Sequence, residues 1–114
     1  MYADEKIFGG YRTVWILVLF DLPTDTKSAR RQYTHFRKAL LADSFTMMQY
    51  SVYMRHCASD ENAVLHIKRV KCSLPPNGEV RVIKITDQQF AKIEVYFGKK
   101  RRQIEKPPTQ LEFL

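Results

Sequence analysis

The stretch Val14-Trp15-Ile16-Leu17-Val18-Leu19-Phe20-Asp21, closed by Leu22-Pro23, decides how the rest of the chain is arranged. Seven consecutive apolar residues, rich in β-branched and aromatic types, run straight into one aspartate. A short apolar run ended by proline reads as a central β-strand over about residues 13–21. Because every position is apolar, both faces of this strand are expected to be covered, or one is met by another subunit. A carboxylate at the end of such a strand is held rigidly at the rim of a sheet. Asp21 is therefore the first candidate for chemistry.

Working outward, residues 1–12 with the breaker Gly9-Gly10 read as a lead-in. Thr24-Asp25-Thr26 offers a helix N-cap. Ala29, Tyr33, Phe36 and Leu40 then recur at helical spacing and make one apolar face, with Arg30, Arg31, Arg37 and Lys38 off it. From Phe45 to Cys57 the pattern alternates in part, which predicts two short strands or one strand broken by a bulge near Gln49. Ser59 or Asp60 opens a second helix with the stripe Ala63, Ile67, Val70, Leu74, and Pro75-Pro76-Asn77-Gly78 ends it. Val80, Val82 and Ile85, with Arg81 and Lys84 between them, predict a half-buried strand. Thr86-x-x-Gln89 resembles a capping box and opens one helical turn to Ile93. Val95-Tyr96-Phe97 reads as a last short strand.

The order β-α-β-β-α-β defines an α+β chain of the ferredoxin-like, split βαβ type, with an antiparallel sheet and both helices on one face. We assign residues 1–98 to this domain and residues 99–114 to a basic C-terminal extension that docks on a partner or a second protomer. The other face of the sheet is left bare although its first strand is apolar throughout. A second copy is the simplest cover, so a symmetric homodimer is expected.

With 114 residues the chain has room for one domain and one modest core. Hydrophobic residues at 45% and charged residues at 27% describe a globular protein. The net charge of +7, with its cations clustered, favours a polyanionic partner, nucleic acid above all. The longest apolar run falls far short of the about 20 residues needed to cross a bilayer, so no membrane partner is expected. Asp4 and Glu5 precede any apolar run, which does not describe a signal peptide, and the expected location is cytoplasmic. Cys57 and Cys72 form no C-x-x-C motif and read as reduced thiols. His35, His56 and His66 lack metal-ligand spacing and read as surface or interface residues.

Four pieces taken together resemble the CRISPR-associated endonuclease two family of small spacer-acquisition proteins. They are Leu19-Phe20-Asp21-Leu22-Pro23, the Arg30-Arg31 helix, Gln49-Tyr50-Ser51-Val52-Tyr53, and Val82-Ile83-Lys84-Ile85-Thr86-Asp87-Gln88-Gln89-Phe90. The resemblance covers roughly residues 13–97, and its specificity lies in the order and spacing of all four. It implies a ferredoxin-like homodimer at the centre of a complex with the CRISPR integrase, which joins new spacers into the array. It also implies Mg²⁺ held by Asp21 of each subunit, and cleavage of single-stranded RNA or double-stranded DNA by some members. In several subtypes the C-terminal extension docks on the integrase or the partner protomer. Phe20 departs from the tyrosine that many members carry before the aspartate, so the family's hydroxyl is missing here.

Two readings of function follow. The first is an adaptor that binds the duplex DNA of the spacer precursor and bridges integrase subunits. Its phosphate contacts would come from Lys27, Arg30, Arg31, Arg37 and Lys38 on the first helix. Lys68, Arg69 and Lys71 form a second group, and Lys99, Lys100, Arg101 and Arg102 a third. Such contacts position DNA without reading its sequence. Leu111, Phe113 and Leu114 are the expected partner-binding residues, adding a strand to an exposed sheet edge. The second reading is a nuclease with Asp21 as both catalytic residue and Mg²⁺ ligand, acting on RNA or DNA independently of the integrase. A ferredoxin-like RNA-binding toxin or regulator is a further alternative.

Overall fold

A computed structural model of the chain describes residues 13–105. The lead-in and the candidate docking residues Leu111, Phe113 and Leu114 lie outside the described residues. The elements are β1 (Val14–Asp21), α1 (Lys27–Ala42), β2 (Thr46–Gln49), β3 (Val52–Cys57), α2 (Asp60–Cys72), β4 (Glu79–Thr86), α3 (Asp87–Ala91), β5 (Val95–Phe97) and β6 (Lys100–Arg102). The main sheet has the order β2-β3-β1-β4, and every pairing in it is antiparallel. That is the ferredoxin-like arrangement, with β1 at the centre as its apolar run requires.

Side chains alternate across a strand, and β1 sorts its residues accordingly. Val14, Ile16, Val18 and Phe20 face the helices and join one core with Phe36 and Leu40 of α1 and Ala63 and Val70 of α2. Phe20 sits within 5.9 Å, centroid to centroid, of Tyr33, Phe36 and Tyr53. The intervening residues Trp15, Leu17, Leu19 and Asp21 lie on the opposite face. Only Trp15 among them is fully covered, by stacking on Phe90 of α3 with ring centroids 3.8 Å apart.

The helix starts follow their caps. The Thr26 hydroxyl accepts the Ala29 amide at 3.0 Å, the Ser59 hydroxyl accepts that of Asn62 at 3.0 Å, and Thr86 with Gln89 closes a reciprocal capping box. Of the expected cap residues, Thr26 and Ser59 serve, leaving Asp25 and Asp60 exposed. Between Phe45 and Cys57 the chain forms two strands, with a register shift between Met47 and Gln49 and a turn at Tyr50-Ser51. Ser51 takes a left-handed backbone, φ 63°, and its carbonyl accepts the Phe20 amide at 3.0 Å, which ties this turn to the end of β1.

Two expectations need correction. Leu74 falls beyond the end of α2 and is half exposed rather than part of the stripe. His66 is a buried residue and not a surface one, only 4% exposed. Its Nδ1 lies 2.7 Å from Asp43 Oδ2, and Arg69 Nη1 donates to Asp43 Oδ1 at 2.8 Å. A buried imidazole needs such a partner, and Asp43, just past α1, supplies one that also locks α1 to α2. Cys57 is buried and Cys72 exposed, both as free thiols. Among the described residues no helix is long and apolar enough to cross a membrane. The extra hairpin β5–β6 straddles residue 98 and forms a sheet of its own.

Candidate nucleic-acid interface and carboxylate site

Asp21 is the last residue of β1, exposed, on the sheet face away from the helices. Its register partner on β4 is Glu79. Directly paired residues of an antiparallel ladder point the same way, so two carboxylates stand side by side on the open face. Like charges so placed repel, and here Glu79 also meets Arg81 Nη2 at 3.3 Å. Sequence reasoning missed Glu79 because its place opposite Asp21 depends on long-range strand register. Among the described residues no group of three or more His, Cys, Asp or Glu side chains converges. One chain therefore offers a cation two hard oxygen donors at this corner. That minimal set suits Mg²⁺, which keeps several waters of its own.

The surroundings of Asp21 are held by backbone. Gly78, at φ +95°, packs against it so closely that a Cβ there would meet the Asp21 carbonyl oxygen at 2.8 Å and Leu22 Cδ2 at 2.6 Å. Tyr53 belongs to the neighbouring strand but is register partner to Val18 and faces the helices. Its hydroxyl accepts from Arg37 Nε at 2.7 Å, away from Asp21. Phe20 likewise points into the core, so a tyrosine at this position would carry its hydroxyl among Tyr33, Phe36 and Tyr53. Tyr50, at the turn, is 76% exposed. Hydrogen bonding with the Tyr33 phenol pushes its own phenol above the usual range.

The cations divide by how far they are already engaged. Lys27, Arg31 and Lys38 are exposed on α1. Arg30 is exposed and donates through Nη1 to the Thr24 carbonyl at 3.1 Å. Arg37 is half-buried with its Nε committed to Tyr53. On α2, Lys68 and Lys71 are exposed while Arg69 is paired with Asp43. Lys99, Arg101 and Arg102 are exposed on the β5–β6 hairpin, whose second strand begins at Lys100. The Arg102 guanidinium lies 6.0 Å from the centroid of the Phe97 ring.

Leu17, Leu19, Val52, Met54 and Ile83 line the centre of the open sheet face, each only partly covered or exposed. The molecule is thus a ferredoxin-like domain with an apolar sheet face left uncovered by the described residues, a carboxylate pair at one corner, and a cationic helix behind. Comparison with known proteins gives this class its family. A profile described as CRISPR associated protein Cas2 matches residues 14–93. A protein named CRISPR-associated endoribonuclease Cas2 from Parvibaculum lavamentivorans is 58% identical over 87% of this chain and 98% of its own length. One of the same name from Flavobacterium psychrophilum is 52% identical over 90% and 89%, and one from Paracidovorax avenae 39% identical over 90% and 95%. The chain belongs to the Cas2 family.

Proposed function

We propose that this protein acts in CRISPR adaptation as a homodimer that binds duplex DNA and bridges the CRISPR integrase, with Mg²⁺-dependent phosphodiester cleavage as a second capacity. The observation that carries the reading is the open sheet face. An apolar patch spread over three adjacent strands, with both long helices on the other side, favours burial against a like surface. Two copies related by a dyad double each cationic group and supply two Asp21–Glu79 corners. Lys27, Arg30, Arg31 and Lys38 would then contact phosphates along one duplex, releasing counterions without reading bases. The outer edge of β4 is unpaired among the described residues. It offers a place for an added strand, the role we propose for Leu111, Phe113 and Leu114 of this or another chain.

For the nuclease reading, Asp21 is the catalytic residue and would hold Mg²⁺ with Glu79 beside it. The ion supplies charge stabilisation at the phosphate and a water of lowered pKa. Asp21 and Glu79 would orient the ion, and their mutual repulsion would fall when it binds. That relatives are named endoribonucleases supports RNA as a substrate class.

The deciding experiment is spacer integration by a reconstituted mixture of integrase, duplex precursor and array DNA, comparing the protein with a folded, dimeric Asp21→Ala variant. Integration is expected to survive the substitution, leaving Asp21 outside the adaptor role. Loss of integration with DNA and integrase binding intact would overturn that and bring the carboxylate chemistry to the front.

A further inference from the structure

The loop from β1 to α1, the first turns of α1 and the Pro75–Asn77 loop border an open groove of about 290 Å³. Leu22, Pro23, Tyr33 and Pro76 supply its apolar walls, and Gln32 and Asn77 its polar edge. We propose that this groove seats a single unpaired nucleobase of a nucleic-acid strand whose neighbouring phosphates lie along the cations of α1. That the ligand is a nucleic-acid strand rests on the reading above. The groove itself is argued from its own chemistry.

A base is flat and apolar on its faces and carries hydrogen-bonding groups on its edge, and unpaired bases are recognised by stacking together with edge contacts. Proline rings and a tyrosine offer flat apolar surface here. Gln32 and Asn77 carry carboxamides, each both donor and acceptor. Among the described residues neither carboxamide is spent on a hydrogen bond to protein.

The charge around the groove suits a strand rather than a neutral ligand. The first turn of α1 holds no acidic residue, and Lys27, Arg30 and Arg31 lie along it and the turn that follows. Arg30 is held on α1 by its bond to the Thr24 carbonyl. Asp25 is the one carboxylate in the lining. It repels phosphate and accepts N–H or O–H donors, so it favours a base or ribose at that point and the phosphate elsewhere.

The groove is also fixed to the backbone at the end of β1. Leu22 and Pro23 follow Asp21 directly, and two residues of chain span at most about 7 Å. Gly78 fixes the Pro75–Asn77 wall against Asp21 and Leu22 by its close approach. Bases within an intact duplex are stacked and paired and would not reach the groove. The site therefore selects unpaired strands, where the cations of α1 accept any duplex.

The test uses ¹⁵N-labelled full-length protein titrated with the four ribonucleoside 5′-monophosphates, their deoxy counterparts, and inorganic phosphate. We expect saturable shifts of the Gln32 and Asn77 side-chain amide signals with nucleotides and none with inorganic phosphate. Tighter binding of the ribonucleotides identifies RNA as the source of the base, and equal binding identifies either strand. Ser28→Leu, which fills the groove from an exposed position on α1, and Asn77→Ala should each weaken binding at least tenfold with unchanged melting temperature. Equal shifts with phosphate alone, or nucleotide binding indifferent to both variants, would overturn the proposal. No cleavage is needed for this readout, so the two readings fail separately. Nucleotide binding without RNA cleavage removes the nuclease, whereas Asp21-dependent cleavage with a silent groove removes the base seat.

Discussion

Asp43 shows how one side chain can settle the relation of two helices. It lies just past the end of α1, and its carboxylate meets both His66 and Arg69 of α2. Burial pushes this carboxyl up, but the hydrogen bonds and charges of His66 and Arg69 outweigh it and hold the group below the usual range. A carboxylate with a depressed folded value contributes stability that is fully present above its unfolded value, about 3.9, and is lost as pH falls through the folded one. Asp43→Asn should therefore cost about 2 kcal/mol at neutral pH. That difference should shrink steadily as pH drops below about 4, which urea titrations of both proteins across pH would measure. A gap that stayed constant into strong acid would remove the electrostatic account. Gly78 is the other decisive residue. Gly78→Ala would force a Cβ against the Asp21 carbonyl at φ +95°, at a cost of about 1–3 kcal/mol. Thermal melting should register that loss, and an unchanged midpoint would mean the loop relaxes without strain.

At the scale of elements, α1 does two jobs with one sequence. Its inner face of Phe36 and Leu40 supplies core, while Lys27, Arg31 and Lys38 remain exposed. We expect Arg30→Glu combined with Arg31→Glu to weaken duplex binding and, in a dimer engaging one duplex, to flatten the slope of log affinity against log salt by about 3.6, near 0.9 for each of the four lost phosphate contacts. Filter binding at several salt concentrations measures both effects, and an unchanged slope would relocate the contacts to α2 or the β5–β6 hairpin. These elements were legible in the sequence because each carries a local signal. The apolar run defines β1, the spacing of Ala29, Tyr33, Phe36 and Leu40 defines α1, and Thr86 with Gln89 defines the start of α3. What stayed illegible depends on distant pairing. Glu79 reaches Asp21 only through strand register, and His66 is buried only because Asp43 arrives from another helix. The strand β6 is hidden within a run of four cations, which reads as a solvated charge cluster. The groove beside Tyr33 is built from segments some fifty positions apart, Leu22 to Gln32 against Pro75 to Asn77, and no local pattern announces it.

For the whole molecule the open sheet face is the controlling feature, because it sets whether the protein acts alone or as a pair. Ile83 stands on this face, paired in register with Leu17, and is 42% exposed. That exposure makes it a clean probe. A charged side chain there can reach water in the single chain and leaves the helix-side core untouched. In a two-fold interface the same patch occurs on both subunits, so each substitution is counted twice. Burying two unpaired carboxylates would cost several kcal/mol in total, enough to weaken association by about a hundredfold or more. On the proposed dimer, the parent protein is expected to sediment as a pair and Ile83→Glu as a monomer at the same concentration, with its circular dichroism and melting curve retained. Because the α1 cations are intact in this variant, its duplex affinity separates the two parts of the proposed adaptor. A fall in affinity accompanying monomer formation would show that one duplex engages both protomers. Dimers that persist with Glu at position 83 would place the contact between copies elsewhere, with the edge of β4 left open by the described residues as the next surface to test.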